Sequence, residues 1–307
     1  MCIRDSLVSD LKKNITVLST SFRSGEHLSR LFDNLRMKAG NPQSLQFVVV
    51  DNTNGQDEEL KGLFSEDLEI QFVMNDGLGL QRSISHANAL DHGIKNCKTD
   101  FTLIIDPDVH VFKQDWDNFC IDKMNQFDKM VIGAPYPEWK LGKEHDYPSV
   151  IFMFFRTEHL LKFERSFNPF PSLGRKIINS ILRKITRLGL LTSKTKLDNS
   201  KRLRTISAWL ENLTGITSPD TGKDIIESFR KEGFDALNFY ACYSTDIADK
   251  AEISKTELAK QFELYYYNDE IMITHMYGSG VFHWKTERGN DLVYWKELIS
   301  KIEKKSQ

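Results

Sequence analysis

The N-terminal third of the chain alternates short runs rich in apolar and β-branched residues with longer segments that are apolar on one side only. Four runs have the length and the β-branched composition of buried strands, namely residues 15–20, 45–51, 68–75 and 101–105. Residues 24–38 and 83–96 carry apolar residues at helical spacing, and Ser24 is a candidate N-cap for the first of these helices. Strands that alternate with helices in this way predict an α/β fold with a parallel sheet and helices on its faces.

The second half of the chain predicts a less regular succession of elements. Residues 147–160 have the pattern of a strand that leads into a helix, and residues 271–289 that of two strands around a glycine-bearing loop. Residues 220–233 predict a helix with Asp220 at its start and Gly233 just beyond its end. An amphipathic segment at residues 291–305 predicts a C-terminal helix. Because no internal repeat or low-complexity linker interrupts the chain, we expect one domain over residues 13–307.

Polar residues cluster where each of the four predicted strands ends. The clusters are Thr20-Ser21-Phe22, Asp51-Asn52, Asn75-Asp76-Gly77 and Asp106-Pro107-Asp108. Ligands of such sheets bind beyond the carboxyl ends of the strands, so these clusters predict a binding site. Asp106 and Asp108 project in roughly the same direction, and two carboxylates suit a Mg²⁺ ion that is shared with phosphate. Asp-Pro-Asp is also a typical turn sequence, and this alternative stays open.

Composition narrows the classes of partner and compartment. A formal net charge of −2 provides no general attraction to nucleic acid, so we expect no nucleic-acid partner. The four cysteines form no CxxC pair, which favours reduced thiols in a cytoplasmic protein over a zinc site or disulfides. No apolar run approaches the roughly 20 residues that span a bilayer, and we see no signal peptide. Residues 1–12 begin with MCIRDS, and we expect them to be non-native or disordered.

The segments ITVLSTSFR, FVVVDNTNG, VMNDGLGL…HANALDHGIK and FTLIIDPDVHVF together resemble the nucleotide-sugar-binding half of family-2 glycosyltransferases of the GT-A fold. The resemblance covers residues 15–112 and becomes looser through about residue 290. It implies a Rossmann-like, mostly parallel mixed sheet flanked by helices. The single GT-A domain would comprise a nucleotide-sugar-binding half (13–115), an acceptor half (116–290) and a C-terminal helix (291–307).

The same resemblance implies a metal-dependent transfer of a sugar from a nucleotide sugar to a saccharide or lipid-linked acceptor. The transfer would invert the anomeric centre and would serve the synthesis of cell-surface polysaccharide or another glycan. Thr20 and Phe22 match the nucleoside pocket, and Asp51 matches the acid that hydrogen-bonds the base, usually uracil or another pyrimidine. UDP or another pyrimidine nucleotide is therefore the expected carrier. Three further residues match positions near the ribose and diphosphate, namely Asn75, Gly77 and Asn88.

Asp106 and Asp108 match the two acids of the DxD motif. By resemblance Asp108 is the more direct ligand of Mn²⁺ or Mg²⁺, and Asp106 lies nearer to the ribose and the metal. The chain departs from the family pattern before Asn88, where a stretch of small residues is replaced by LGLQRSISHA. Arg82 and His86 in this stretch either contact phosphate or sugar or are solvated helix residues, and we favour the second interpretation.

An inverting transfer needs a base for the acceptor hydroxyl, and a carboxylate within hydrogen-bonding reach suits this role. In the family this acid lies at the start of a helix in the acceptor half, which favours Asp220. An N-cap role for Asp220 is compatible with catalysis, and Asp224 and Glu211 are alternatives.

Many GT-A enzymes complete the metal site with a histidine near the end of the fold. We rank His275 above His283 because it precedes residues 278–280, a Gly-Ser-Gly loop whose N–H groups suit phosphate. Imidazole suits Mn²⁺ better than Mg²⁺. His110 alternates away from the DxD acids along its strand, and we interpret it as structural.

Residues 175–204 contain ten lysines and arginines against one acid, Asp198, and their apolar residues recur at helical spacing. A basic amphipathic helix of this kind is typical of peripheral contact with an anionic membrane, here the inner face. A helix packed on its own domain and a flap over the donor site are the alternatives.

Two other functions keep the strand-end acids. A sugar nucleotidyltransferase would carry a glycine-rich basic loop after its first strand, whereas STSFRSGEHL has one glycine and one arginine. A non-catalytic nucleotide-sugar-binding protein would not need both DxD acids and a base. The first strand is not followed by GxGxxG, which disfavours a dinucleotide oxidoreductase.

Overall fold

The computed structural model describes residues 13–64, 70–168, 177, 193–215, 220–247, 253–276 and 286–306. Its strands are β1 (Ile15–Ser21), β2 (Leu45–Asp51), β3 (Ile70–Met74), β4 (Phe101–Ile105), β5 (Val109–Val111), β6 (Met130–Ala134), β7 (Phe152–Arg156), β8 (Asp235–Asn238), β9 (Tyr240–Ala241), β10 (Glu263–Tyr267) and β11 (Glu270–His275). Its helices are α1 (Gly25–Lys38), α2 (Glu58–Phe64), α3 (Arg82–Gly93), α4 (Trp116–Gln126), α5 (Thr157–Leu161), α6 (Lys194–Asp198), α7 (Lys201–Thr214), α8 (Lys223–Lys231), α9 (Ile253–Gln261) and α10 (Leu292–Ser306).

The main sheet has seven strands in the order β3-β2-β1-β4-β7-β6-β8. Strand β7 runs antiparallel to both of its neighbours, β4 and β6, and the other neighbouring pairs are parallel. The predicted α/β fold with a mostly parallel mixed sheet and flanking helices is therefore confirmed. The four strands predicted in the N-terminal third are β1 to β4, and residues 68–69 of the third lie outside the described part of the chain.

Alternate residues of the central strands are buried in two hydrophobic clusters, one on each face of the sheet. Val17 and Val49 belong to one cluster with residues of α1 and α4. Leu18 and Val48 belong to the other with residues of α3 and α8. Since both faces are covered, β1 and β2 are buried at nearly every position, as the sequence predicted.

A second sheet of four antiparallel strands, in the order β5-β11-β10-β9, lies beyond the end of β4. Its residues form a third hydrophobic cluster with α9 and α10. The indole of Trp295 in α10 donates a hydrogen bond to Thr274 in β11 (3.2 Å). The predicted C-terminal helix is thus present as α10, and it holds the small sheet from behind.

Several boundaries differ from the predictions. Helix α8 begins at Lys223 and its N-cap is Gly222, whose φ of 87° favours glycine, so the prediction of Asp220 as N-cap was wrong. Ser24 does occupy the N-cap position of α1, but its side chain makes no capping hydrogen bond. Residues 1–12, residues 178–192 of the basic segment, the loop 278–280 and His283 lie outside the described residues.

Gly133 in β6 is required by the close approach of β7. A Cβ atom at this position would lie 1.8 Å from the backbone oxygen of Phe152. We expect Gly133→Ala to lower the free energy of unfolding by about 1–3 kcal/mol or more, because the strands must separate. Gly62→Ala is the control, since its Cβ meets nothing within 4 Å and alanine favours the helix α2. Denaturant unfolding measures both, and a Gly133→Ala protein as stable as the wild type would contradict the sheet pairing.

Candidate functional site

Asp106 and Asp108 lie in the turn between β4 and β5. The Val109 N–H donates to the backbone carbonyl oxygen of Asp106 (3.3 Å). Asp-Pro-Asp is therefore a turn, as the open alternative proposed. The Asp106 N–H in turn donates to Ile151, at the start of the antiparallel neighbour (3.2 Å). Both carboxylates are about one-fifth exposed. The turn therefore presents two partly exposed acids at the carboxyl edge of the sheet.

His275 reaches the same place from the last residue of β11. In the small sheet His275 lies opposite Val109, and the Met276 N–H donates to the backbone carbonyl oxygen of Asp108 (2.9 Å). The His275 Nε2 atom is 3.1 Å from Asp108 Oδ1 and 3.7 Å from Asp106 Oδ2. The structure thus brings together the three predicted metal-binding residues.

These residues fit a divalent cation by their chemistry. One ligand atom from each of Asp106, Asp108 and His275 lies within 4.8 Å of the others. In the part of the chain that the structure describes, this is the one group of three or more His, Cys, Asp or Glu side chains close enough to share a metal ion. Two carboxylates and an imidazole are suitable ligands for Mn²⁺, and the carboxylates alone suit Mg²⁺.

The imidazole of His275 is held from behind by a buried acid. Its Nδ1 atom lies 2.9 Å from Glu263 Oε2, and the Tyr265 hydroxyl donates to the same oxygen (3.0 Å). The other oxygen, Glu263 Oε1, forms an ion pair with the Lys140 ammonium at 2.5 Å. Lys140, Glu263 and His275 are each at most 3% exposed. Of these three connected residues, the sequence analysis identified only His275.

Electrostatics favours a positive charge at this point. Burial alone would lower the pKa of His275, but the carboxylates of Asp108 and Glu263 outweigh burial and raise it to about 10. Burial likewise acts to raise the pKa of Glu263, and Lys140 and His275 lower it to about 2. Burial raises the pKa of Asp106. A proton on His275 and a metal ion are alternative cations for the same acids.

His86 also faces the acid pair. Its Nε2 atom lies 3.7 Å from Asp106 Oδ1, at the N-terminal end of α3. The sequence favours a solvated helix residue at this position, whereas the structure places this side chain, about one-quarter exposed, beside the predicted metal ligands. Arg82, one turn earlier, is exposed as that interpretation expected.

The predicted nucleoside residues lie at the ends of the neighbouring strands. Thr20 is the next-to-last residue of β1, and Asp51 is the last residue of β2. Phe22 follows β1 directly, and its side chain is half exposed. The Asp51 carboxylate is buried and accepts hydrogen bonds from Thr53 (N–H, 2.8 Å; hydroxyl, 2.6 Å) and from the Gly55 N–H (3.0 Å). In this structure Asp51 therefore stabilises the turn after β2. Its contact with a base stays a prediction.

Asn75, Gly77 and Asn88 border the adjacent loop. The side-chain amide of Asn75 donates to the side-chain oxygen of Asn52 (2.7 Å). The Gly77 N–H donates to the backbone oxygen of Asn52 (3.1 Å). A Cβ atom at Gly77 would lie 2.3 Å from the Ser85 hydroxyl, so a larger residue would have to displace Ser85 for this loop to pack on α3. Asn88 is partly buried in the same helix.

Asp220 lies just before α8, where two residues hold its carboxylate. It forms an ion pair with Lys143 and accepts a hydrogen bond from the Thr221 N–H (2.9 Å). Burial would raise the pKa of Asp220, but Lys143 outweighs burial and keeps the pKa below its ordinary value. The hydroxyl of the next residue, Thr221, donates to the backbone oxygen of Ser83 in α3 (3.2 Å), which ties this segment to α3.

The alternatives to Asp220 have other environments. Glu211 Oε1 lies 3.0 Å from His145 Nε2 and accepts a hydrogen bond from the Gly142 N–H. It therefore anchors the connection between β6 and β7 to α7. Asp224 is partly exposed in the first turn of α8.

Sequence reasoning missed the connection between β6 and β7, residues 135–151. Its lysines Lys140 and Lys143 are buried, at 0% and 8% exposure, and they pair with Glu263 and Asp220 respectively. A loop with two lysines and three acids ordinarily indicates a solvated surface. One available signal for Glu263 was Asn268-Asp269, a hairpin turn sequence with positive φ at both residues, which pairs β10 with β11.

Comparisons with known proteins give structural neighbours only. No protein-family model matches the sequence, and no curated protein matches it. Among solved structures, the chain is similar to the mannosyltransferase PcManGT from Pyrobaculum calidifontis, in complex with GDP-Man and Mn²⁺. The identity is 11%, the TM-score 0.43, and 72% of this chain and 74% of that chain are covered. It is also similar to residues 1–349 of S. aureus TarS in complex with UDP (14% identity, TM-score 0.38, 81% and 79% covered). For the longer TarS structure the identity is 12%, the TM-score is 0.41, and 48% of that chain is covered.

Proposed function

We propose that this protein is a metal-dependent glycosyltransferase that uses a nucleotide-sugar donor. The observation that carries the proposal is the convergence of Asp106, Asp108 and His275 at the carboxyl edge of the parallel sheet. The residues predicted to bind the nucleoside lie at the ends of β1 and β2, and β1 is the neighbour of β4 in the sheet. A cation site beside a nucleoside site is what binding of a sugar diphosphate nucleotide requires.

Asp106, Asp108 and His275 would hold Mn²⁺ or Mg²⁺, with Mn²⁺ favoured by the imidazole. When bound, the metal neutralises the diphosphate and acts as a Lewis acid for the leaving group. His86 lies on the α3 side of Asp106, where it can donate to a phosphate oxygen. Phe22 offers an exposed ring face to the base. UDP or another pyrimidine nucleotide is the carrier that the resemblance at Asp51 implies.

The reaction would be one in-line displacement with inversion. A bond forms between the acceptor oxygen and the anomeric carbon, while the bond from that carbon to the diphosphate oxygen breaks. Asp220 takes the acceptor proton. Its low pKa keeps the carboxylate ionised near neutral pH, and the ion pair with Lys143 fixes its position. The acceptor would be a saccharide or a lipid-linked saccharide.

We expect Mn²⁺ and a suitable UDP-sugar together to stabilise the wild-type protein. Ligand at a hundredfold excess over its Kd raises the free energy of unfolding by about 2.7 kcal/mol. A thermal-shift panel of nucleotide sugars, with Mn²⁺ or with EDTA, measures this effect. Asp108→Asn should lose the metal-dependent part. Asp122→Asn, an exposed acid of α4, should keep it. Equal stabilisation of the wild type in EDTA would contradict the metal site.

Asp220→Asn should abolish sugar transfer while donor binding survives. Loss of a general base costs typically 10²–10⁴-fold in rate, whereas the donor site retains its contacts. Turnover and donor affinity are measured separately on the donor found above. The matched control is Asp224→Asn, four residues along, which should retain turnover. Retained turnover in Asp220→Asn would remove this residue from the mechanism.

We further propose that an anionic membrane surface is the peripheral partner of the basic segment 175–204. The described end of this segment exposes Lys196, Lys201 and Arg202, while its acid Asp198 is buried. Helix α7 then exposes three apolar side chains at i, i+3 and i+7, namely Ile206 (48%), Trp209 (60%) and Leu213 (65%). Cationic side chains beside an exposed apolar stripe that includes a tryptophan are typical of helices that bind at the headgroup region of a membrane. Within the described residues, no helix is long and apolar enough to cross a bilayer.

The protein should sediment with phosphatidylglycerol vesicles at low salt and dissociate as salt rises, because the attraction is largely electrostatic. Trp209→Ser should weaken this binding. Val293→Ser, an equally exposed apolar residue of α10 (68%), should not. Absence of binding at low salt would end the proposal. So would a Trp209→Ser protein that binds normally but changes its mass by light scattering, because a second copy would then cover this face.

A further inference from the structure

Glu263 is a buried acid that the proposed reaction does not use. It lies in the first position of β10, and both of its carboxylate oxygens have buried partners: His275 and Tyr265 on one, Lys140 on the other. Lys140 comes from the connection between β6 and β7, so three separate parts of the chain meet at one carboxylate. A side chain held on so many sides has little freedom to move.

We propose that Glu263 is the positioning residue for His275, and that Lys140 anchors Glu263 in this role. The Glu263 carboxylate accepts the Nδ1 proton of His275, which orients Nε2 toward the position between Asp106 and Asp108 where a cation would bind. The inference rests on the metal site of the proposed function. It adds two residues, neither of which touches the ion.

The tautomer of a histidine is set by the hydrogen bond that its other nitrogen makes. Metal-binding histidines typically donate this second N–H to a carboxylate or carbonyl, which fixes both the ring orientation and the tautomer. The distance of 2.9 Å from Nδ1 to Glu263 and the acids on the Nε2 side give His275 this arrangement before any ion is present.

A bulge in the β10–β11 hairpin creates the pair. The hairpin starts with Tyr267 opposite Glu270, and an unbroken ladder from there would place Glu263 opposite Thr274. The register shifts by one residue between Tyr265 and Tyr266, so Glu263 lies opposite His275 instead. Side chains directly opposite on antiparallel strands share one face and touch. The bulge therefore selects the acid that meets the histidine.

Stability alone gives a weak reason for this arrangement. A buried ion pair such as Lys140–Glu263 is often no more stable than apolar residues of the same volume, because both charges lose their hydration. The polar chain nevertheless ends on a group that faces partly exposed acids at the sheet edge. A positioning role accounts for charges that packing does not need.

The small sheet also supplies a matched control. His110 in β5 pairs with Glu303 of α10 (3.1 Å), so it is another carboxylate–histidine contact of similar length. The other nitrogen of His110 contacts Arg30 (3.2 Å), a cation, and so this pair does not present a free nitrogen to acids. Removal of Glu303 tests the general effect of losing such a contact.

Mn²⁺ binding to the full chain without donor tests the inference, by calorimetry and by electron spin resonance. Glu263→Ala should weaken Mn²⁺ binding roughly 10–100-fold, as loss of such partners typically does. Glu263→Gln should weaken it less, because its amide oxygen still accepts the Nδ1 proton. Glu303→Ala should bind like the wild type. The ¹⁴N coupling of bound imidazole should be clear in the wild type and diminished in Glu263→Ala.

The outcomes separate the two levels of the account. If the wild type does not bind Mn²⁺, the proposed metal site is wrong. If the wild type binds and Glu263→Ala binds equally well with unchanged ¹⁴N coupling, the positioning role is wrong while the metal site stands. Should Glu263→Ala fail to fold because Lys140 is left unpaired, Lys140→Met/Glu263→Leu removes both charges. Wild-type affinity in that double variant overturns the inference, and a 10–100-fold loss supports it.

Discussion

The site depends on one strand pairing, that of β5 with β11. Only three residue pairs join these strands, yet they bring together parts of the chain that lie more than 160 residues apart, at Val109 and His275. The Met276 N–H bonds to the Asp108 oxygen at the end of this ladder and fixes the turn that carries the acids. Helix α10 holds the small sheet from behind through Trp295. A one-residue slip in this ladder would turn His275 to the opposite face.

Buried charge then explains why so many residues surround the histidine. Asp106, Asp108 and Glu263 are acids with limited access to water, and His275 and Lys140 are the cations that face them. Such a cluster is costly unless each charge has a partner. The connection between β6 and β7 supplies those partners on two sides, since Lys140 pairs with Glu263 and Lys143 with Asp220. Glu211 of α7 in turn anchors this connection.

The sequence was informative where the signal is local. Buried parallel strands are rich in apolar and β-branched residues, so β1 to β4 were found nearly to the residue. A sheet of that type places strand-end acids at one edge. His275 was expected beside the acids, and the structure places it there, whereas the alternative, His283, lies outside the described residues. The distance of His275 from the acids could not be derived, because the pairing of β5 with β11 is a long-range contact.

Glu263 and Lys140 were missed for related reasons. Which residue opposes His275 depends on a bulge, and a bulge has no reliable sequence signal. Lys140 lies in a charged loop that has the composition of a solvated surface, and only the fold shows that it is buried. The N-cap of α8 was misassigned because Asp is a common N-cap, whereas here the left-handed backbone at Gly222 starts the helix.

The most direct measurement is anomalous diffraction at the manganese edge from crystals grown with Mn²⁺ and UDP. The account predicts a single strong peak bound by Asp106, Asp108 and the Nε2 atom of His275, with the diphosphate on its open side. A peak bound elsewhere on the protein, or UDP in place with no metal between it and these three side chains, would contradict it.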